Sequence, residues 1–566
     1  MQKRADLQAL LQQIHRKSYP AYKSLRGCYD FGSFWLSIDH VQGDPFASPS
    51  HVSVSVGLQQ AGFPQEYYRE KAERTALEDA LLRRFAEEIR RISFHAKGSG
   101  KSGLVTVTSC GPQILSRTAM EIGAQRLTVR FEVGFPANGR TINAVELEKI
   151  LCRDLPPLVE RCFYYKNWDA KKLRGVYELS QDQQYIRREL KKRGLTAFVA
   201  DGAILPRQSG ISQKPMKDAV AFSSPESLRL TLHLPWHGPL SGMAIPNGVT
   251  LIVGGGYHGK STLLKALELG IYDHIAGDGR EFVITEDTAI KIRAEEGRGV
   301  RHLDLSMFIH DLPNGKDPSD FSTEDASGST SQAAAVMEGM EAKCRTFLID
   351  EDTSATNFLV RDAFMQQIVS PKKEPITPFL ARIRELYETF GISTILVAGS
   401  SGAFFHKADL VIQMDAYRPK DVTDRVRELL FEYPPLDFFV KPFATVCKGR
   451  KISIQQKKER IRGREQEPSR IKIRLNGTDG FTIGKELVDV RYVEQIIDTE
   501  QVAALAVILR EILKKPGAYE MEDLVTYIWK QLEGKGFEAF LGKDMFCGYA
   551  KPRIQDIYLM LNRYRG

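Results

Sequence analysis

The sequence predicts an α/β fold: a phosphate-loop core on a mainly parallel sheet, with an α+β domain before it and another after it. Three observations carry that prediction. A β-branched run, Val249-Thr-Leu-Ile-Val253, feeds straight into a glycine-rich loop, Gly254-Gly-Gly-Tyr-His-Gly-Lys-Ser-Thr262. The residues that follow, to Leu269, have helical spacing. Two further apolar runs, Thr346-Phe-Leu-Ile349 and Ser393-Thr-Ile-Leu-Val397, alternate with helical segments. Strands apolar on both faces belong to a sheet covered by helices on both sides.

The length of 566 residues suggests about three or four domains. Boundaries are expected at 1–194, 195–430 and 431–566. In the first domain, Leu7 to Ile14 and Glu70 to Ile92 carry helical spacing, and His51–Val56, Leu104–Thr108 and Leu127–Val133 alternate as strands. Asp39–Pro49 is a polar loop dense in turn residues, read as a structural turn before a functional one. Lys97-Gly-Ser-Gly-Lys-Ser-Gly103 imitates a phosphate loop, but His95 stands where the first glycine belongs. A helix precedes it and a strand follows, so no helix N-terminus faces it. The third domain is expected to hold helices near 491–514 and 520–532.

Composition excludes several classes. No apolar run approaches the roughly 18 residues of a membrane span, so no membrane partner is expected. The first residues lack an apolar segment, so a signal peptide is not read. Seven scattered cysteines without C-x-x-C spacing point to free thiols in a reducing compartment, which suggests the cytoplasm, and argue against structural zinc. The net charge of +8 permits a polyanionic partner without demanding one.

The loop at 254–262 fits G-x-x-x-x-G-K-[ST] through Gly254, Gly259, Lys260 and Ser261. Gly254, Gly255, Gly256 and Gly259 let the backbone curl so that N–H groups, including those of Tyr257, His258 and Thr262, can face phosphate oxygens. Lys260 supplies a point charge for the β- and γ-phosphates, and the Ser261 hydroxyl can ligate Mg²⁺. ATP and Mg²⁺ are therefore the expected ligands. Downstream, Thr346-Phe-Leu-Ile-Asp-Glu351 sets Asp350 beside Ser261 for the metal and Glu351 to polarise an attacking water. Between them, Ser327, Gly328 and Ser329 open an apolar-spaced run, the residue types of a helix N-cap.

From Asp39–Pro49, Gly98–Gly103 and Ala200–Arg207 through Gly254–Ser261, Gly277–Glu281, Ala326–Gln332 and Ile349–Asn357 to Asn562–Gly566, the chain resembles the ATPases of the ABC class. This is a soluble, non-transporter family that includes a trypanosomal mitochondrial RNA-binding-complex protein. The resemblance implies an ABC-type core. It also implies that Ser327–Ser329, a segment whose Ser327 lies 23 residues before Asp350, donate hydroxyl and N–H groups to the γ-phosphate held by a second subunit. Ser354–Asn357 then takes the place of the ABC D-loop. One phosphate loop and one such signature per chain imply a head-to-tail homodimer with two sandwiched sites.

Departures from ordinary ABC ATPases matter. Their Leu-Ser-Gly-Gly-Gln becomes Ala326-Ser-Gly-Ser-Thr330, with Gln332 two places later. Ser400 stands where they carry a histidine that contacts the γ-phosphate. A hydroxyl can bond phosphate but brings no positive charge. No glutamine stands at an obvious Q-loop, and His310 is a weak substitute. Turnover is expected below the usual range of about 1–10³ s⁻¹. Arg280, Arg293 and Arg298 either clamp phosphates or pair with Glu281, Glu295 and Glu296, and Phe222 and Trp236 are candidate platforms for adenine.

The partner signal is a basic stretch. Between Lys448 and Arg474 eleven lysines and arginines stand against Glu459, Glu465 and Glu467. This predicts contact with RNA or DNA. Three readings stand: a mechanoenzyme on nucleic acid, a nucleotide-gated clamp or scaffold with little turnover, and the soluble ATPase subunit of a transporter.

Overall fold

The computed structural model describes residues 2–368, 374–436, 438, 440, 443, 449–454, 460–461, 464–465, 471–542 and 545–565. They fall into two compact units, Met1–Gln181 with Lys535–Lys551, and Asp182–Gly534 with Pro552–Gly566.

The first unit has a mainly antiparallel sheet backed by a long helix, Lys71–Ile92. Ser50–Gly57 and Arg126–Val133 pair along their full length at its centre. The helix buries Leu77, Leu81, Leu82, Phe85 and Ile89, the stripe its spacing requires, with the Phe85 ring 5.4 Å from that of Phe131. The expected strand at 104–108 shortens to Val105–Thr106, because the Leu104 N–H closes a turn onto the Lys101 carbonyl at 3.1 Å. Late in the chain, Phe546 stacks on His51 at 4.2 Å and Tyr549 accepts from the Thr118 N–H, completing this unit.

The loop that imitates a phosphate loop is a packing turn. Its N–H groups at Ser99, Lys101 and Gly103 donate to the carbonyls of Ala137, Pro45 and Gly134 at 2.7, 2.8 and 3.0 Å. A Cβ at Gly100 would stand 2.4 Å from the Pro45 carbonyl oxygen, so glycine is demanded by close packing against the Asp39–Pro49 loop. Donors engaged in this way cannot cradle an anion.

Two of the sheets in the second unit position the site. The first is antiparallel, in the order Arg229–Leu234, Gly238–Pro246, Leu195–Ala200, Val283–Thr285. The second contains β1 (Val249–Val253), β2 (Ile290–Ile292), β3 (Thr346–Asp350), β4 (Ser393–Val397), β5 (Leu410–Asp415) and β6 (Arg418–Asp421), in the order β2-β3-β4-β1-β5-β6. All neighbours are parallel except β6, which turns back on β5. Leu251, Ile252, Leu348, Ile395 and Ile412 are buried, as strands covered on both faces must be. Helix α1 (Lys260–Leu269) seals one face with Leu263, Leu264 and Leu267. Each such side chain contributes about 1.5–3 kcal/mol by leaving water.

Because β1, β3 and β4 are parallel and in register, with Asp350 beside Val397, their C-terminal ends emerge on one edge. That edge gathers the candidate site. Farther on, the helix expected from 491 begins only at Thr499. Asp498 caps it, accepting from Glu500 N–H at 2.9 Å, while the preceding residues close separate turns at Val490–Val493 and Val493–Ile496.

Candidate active site

The strand-to-loop transition sets the phosphate loop. Gly254 has φ +138°, and a Cβ there would lie 2.3 Å from the Met414 carbonyl oxygen of β5. Gly259, at φ +96°, is the N-cap from which α1 starts at Lys260. Gly255, Gly256, Tyr257 and Ser261 are exposed, His258 and Thr262 half-buried. The Lys260 ammonium folds over the loop and donates to the carbonyls of Gly254 and Gly255 at 2.7 and 2.9 Å. A charged group holding two loop carbonyls is poised to exchange them for phosphate oxygens. His258 Nδ1 accepts from the Ala416 N–H at 3.1 Å, tying the loop to the turn between β5 and β6.

Asp350 closes β3, buried, and its carboxylate meets the Ser261 hydroxyl. Burial raises its pKa above the ordinary carboxylate value. A buried carboxylate beside a hydroxyl fits a divalent cation, which would remove that cost of burial. Next in sequence, Glu351 is half-buried and held by three donors from the end of β4. Ser400 donates its hydroxyl at 2.7 Å and its N–H at 2.9 Å, and the Gly399 N–H joins them. Burial alone would raise this carboxyl, but the bonds from Ser400, Gly399 and Ser401 outweigh it and hold it below the usual range. Ser400, placed by sequence at a phosphate-sensing position, is therefore engaged with the neighbouring acid.

Ser327 caps helix α2 (Gly328–Glu341), its hydroxyl accepting from Thr330 N–H at 3.3 Å. The segment is bonded to the turn after the acids. Asn357 donates to Ser329 Oγ at 3.2 Å. Gln332, fully buried, donates to Ser354 Oγ at 2.9 Å and accepts from Ala355 N–H at 2.8 Å. Ser327 remains exposed, whereas Ser329 is buried. The displaced glutamine thus acts as a brace between the two motifs, a role its spacing did not announce.

The arginines after α1 are structural, with partners other than those their spacing suggests. Arg280 is buried and donates to the Leu205 carbonyl, Arg298 pairs with Glu338 at 2.9 Å, and Arg293 pairs with Glu494 at 2.9 Å. Glu494 also meets Lys291 at 2.9 Å and Lys265 of α1 at 3.2 Å. These cations outweigh its burial and lower its pKa to about 2. Glu295 pairs with Arg563 near the end of the chain, and its N–H donates to Ser331 Oγ of α2 at 2.9 Å. His310 is engaged with Thr377 Oγ1 at 3.0 Å and the Pro375 carbonyl. Phe222 is buried in the core, which removes it as an adenine platform. Trp236 is partly exposed, on the turn between Leu234 and Gly238, where its N–H is bonded to Asp182 at 3.0 Å.

Much of the basic stretch lies outside the described residues: Lys448, Lys457, Lys458, Arg462 and Arg470 are not among them, and Arg460 and Arg464 are described in backbone alone. Arg450 is an internal brace. It pairs with Glu341 at 2.8 Å and donates to the Arg301 carbonyl at 3.1 Å.

Three family models match successive parts of the chain: the ATPase of the ABC class N-terminal model over residues 4–166, the ABC ATPase P-loop domain over 169–437, and the MRB1590 C-terminal domain over 472–566. An uncharacterised protein of Methanocaldococcus jannaschii is 30% identical over 231 residues, covering 39% of this chain and 50% of its own, so the chain spans about half the length of that relative. Among solved structures, cbiO1 from Clostridium perfringens, part of the ABC transporter complex cbiONQ, aligns with 43% of this chain and 96% of its own at 14% identity, with a TM-score of 0.27. An inward-facing, putative metal-chelate type ABC transporter aligns with 42% and 85% at 16% identity, with a TM-score of 0.26. With a matching N-terminal domain, P-loop domain and C-terminal domain in the family's own order, the chain belongs to the ATPases of the ABC class.

Proposed function

We propose that this chain is a slow ATPase that works as a head-to-tail homodimer and acts on nucleic acid. The observation that carries it is the convergence at one sheet edge of Lys260, Ser261, Asp350 and Glu351, with the Ser261 hydroxyl on Asp350 and Glu351 aimed by Ser400. Gly254–Thr262 would cradle the triphosphate, with Lys260 moving from its two carbonyls to the β- and γ-phosphates. Ser261 and Asp350 would hold Mg²⁺, which when bound neutralises phosphate charge. Glu351 would orient a water and take its proton.

Ser327 and the Gly328 N–H, braced by Gln332 yet open to solvent at Ser327, are proposed to reach the γ-phosphate of a second copy. The donors from Ser400 and Gly399 hold the Glu351 carboxyl below its usual range and so make it a weaker base toward water, which supports slow turnover. Ser400→Ala removes one donor that stabilises the charged form, so the Glu351 carboxyl should rise. The acid limb of the kcat–pH profile should then shift upward. An unmoved limb in a steady-state pH series would remove Ser400 from this role.

Basic side chains near 448–474 are proposed to contact RNA or DNA, Arg450 excepted. The test is ATP turnover with and without RNA, single-stranded DNA and duplex DNA, at two salt concentrations. Stimulation that fades with salt supports the mechanoenzyme, since phosphate contacts release counterions. Binding without stimulation favours the nucleotide-gated clamp. The transporter-subunit reading is weakest, because the chain carries added N- and C-terminal domains and no glutamine at an obvious Q-loop, where a membrane partner would dock.

A further inference from the structure

The turn joining β5 to β6 is unusual. Asp415 pairs with Arg418, leaving Ala416 and Tyr417 as a two-residue hairpin loop. Both have positive φ, +45° and +67°. Loops of this kind are normally built from asparagine and glycine, because a side chain is disfavoured there. A tyrosine kept in such a position asks what its side chain does.

It is not filling a core. Tyr417 is 54% exposed. It stands against the phosphate loop: a Cβ at Gly259 would lie 3.2 Å from Tyr417 Cδ1. The turn is also fastened to that loop, through the Ala416 N–H on His258 Nδ1 at 3.1 Å. The His258 ring packs in turn on Gly255, whose Cβ would lie 3.5 Å from it. Asp415, beside the same imidazole at 3.5 Å, is anchored by Lys420 at 2.7 Å. An open aromatic ring is thus fixed at the rim of the loop by these contacts.

A nucleotide whose phosphates sit over the N-terminus of α1 must lay its sugar and base along that rim. The base has a flat π-face and gains from an aromatic surface. The upstream aromatic Phe222 is in the core, and Trp236 sits on a turn bonded to Asp182. We propose that Tyr417 stacks on the base of the nucleotide held at Gly254–Thr262, with His258 locking the turn in place. This rests on the reading of that loop as a nucleotide site.

Calorimetric titration of the full chain with ATP and with inorganic tripolyphosphate, both with Mg²⁺, tests it. Tyr417→Gly suits the positive φ and removes the ring, and Tyr417→Asn is a second variant tolerated in that conformation. Both should weaken ATP binding by about tenfold or more while leaving tripolyphosphate within about twofold. Tyr417→Phe should bind ATP as the parent does. Unchanged ATP affinity in the glycine and asparagine variants overturns the proposal. So does equal weakening of both ligands, which would make Tyr417 a prop for the loop. A parent chain that binds ATP no better than tripolyphosphate also rejects base stacking, whereas one that binds neither defeats the nucleotide reading itself.

Discussion

Glu351→Gln is expected to lower ATP turnover by about 10²–10⁴-fold and, if the proposed sandwich forms, to give a chain that runs as a dimer in ATP and as a monomer without it. The substitution preserves size and keeps one oxygen to accept from Ser400 or Gly399, so the turn after β4 should hold. What disappears is the basicity needed to take a proton from water. In the proposed sandwich the triphosphate should then stay intact between the two copies, so that the closed state accumulates. Two measurements check this, phosphate release and sizing with light scattering. A variant that hydrolyses ATP near the parent rate removes Glu351 as the base. A variant that is inactive but never dimerises keeps the base and rejects the sandwich.

Gly254→Ala abolishes nucleotide binding, whereas Gly256→Ala retains it. The contrast follows from geometry. At Gly254 a Cβ meets the Met414 carbonyl oxygen at 2.3 Å, on a backbone with φ +138°. Relief requires β1 and β5 to part or the loop to unwind, a cost of about 2–4 kcal/mol from overpacking and backbone strain together. At Gly256 a Cβ meets nothing within 4 Å, and φ lies outside the strained region. Calorimetric titration with ATP and thermal unfolding of both variants separate the cases. Equal affinity in the two would mean that the loop tolerates side chains, contrary to its packing.

The parts of this chain legible from sequence are those in which a short segment contains its own cause. A strand, a glycine turn and a helix start are contiguous from Val249 to Leu269, and Asp350-Glu351 closes an apolar run. In the structure the Ser261 hydroxyl lies against Asp350. What escaped depends on contacts between distant segments. Gln332 looks like a misplaced signature residue until its amide is seen bridging Ser354 and Ala355. Arg293 has acidic neighbours in sequence, yet its partner is Glu494, two hundred residues away. Phe222 and Tyr417 show the same limit from opposite sides. An aromatic residue carries no mark of whether it will be buried, and a two-residue turn without glycine or asparagine carries no turn signal. The basic stretch was legible as charge, but only the structure reveals that Arg450 is held internally by Glu341.

Glu494 and Arg563 have a practical consequence for anyone who wishes to excise the catalytic core. The P-loop match ends at residue 437, and a fragment cut there looks self-sufficient on paper. Such a truncation would leave Lys265, Lys291 and Arg293 crowded with only Glu268 to answer them, and strand Glu295 in the interior without Arg563. Uncompensated buried charge is among the costlier defects a fold can carry. The P-loop region of this chain is therefore not a portable cassette: α1 and α2 are each fastened by residues that lie beyond the cut.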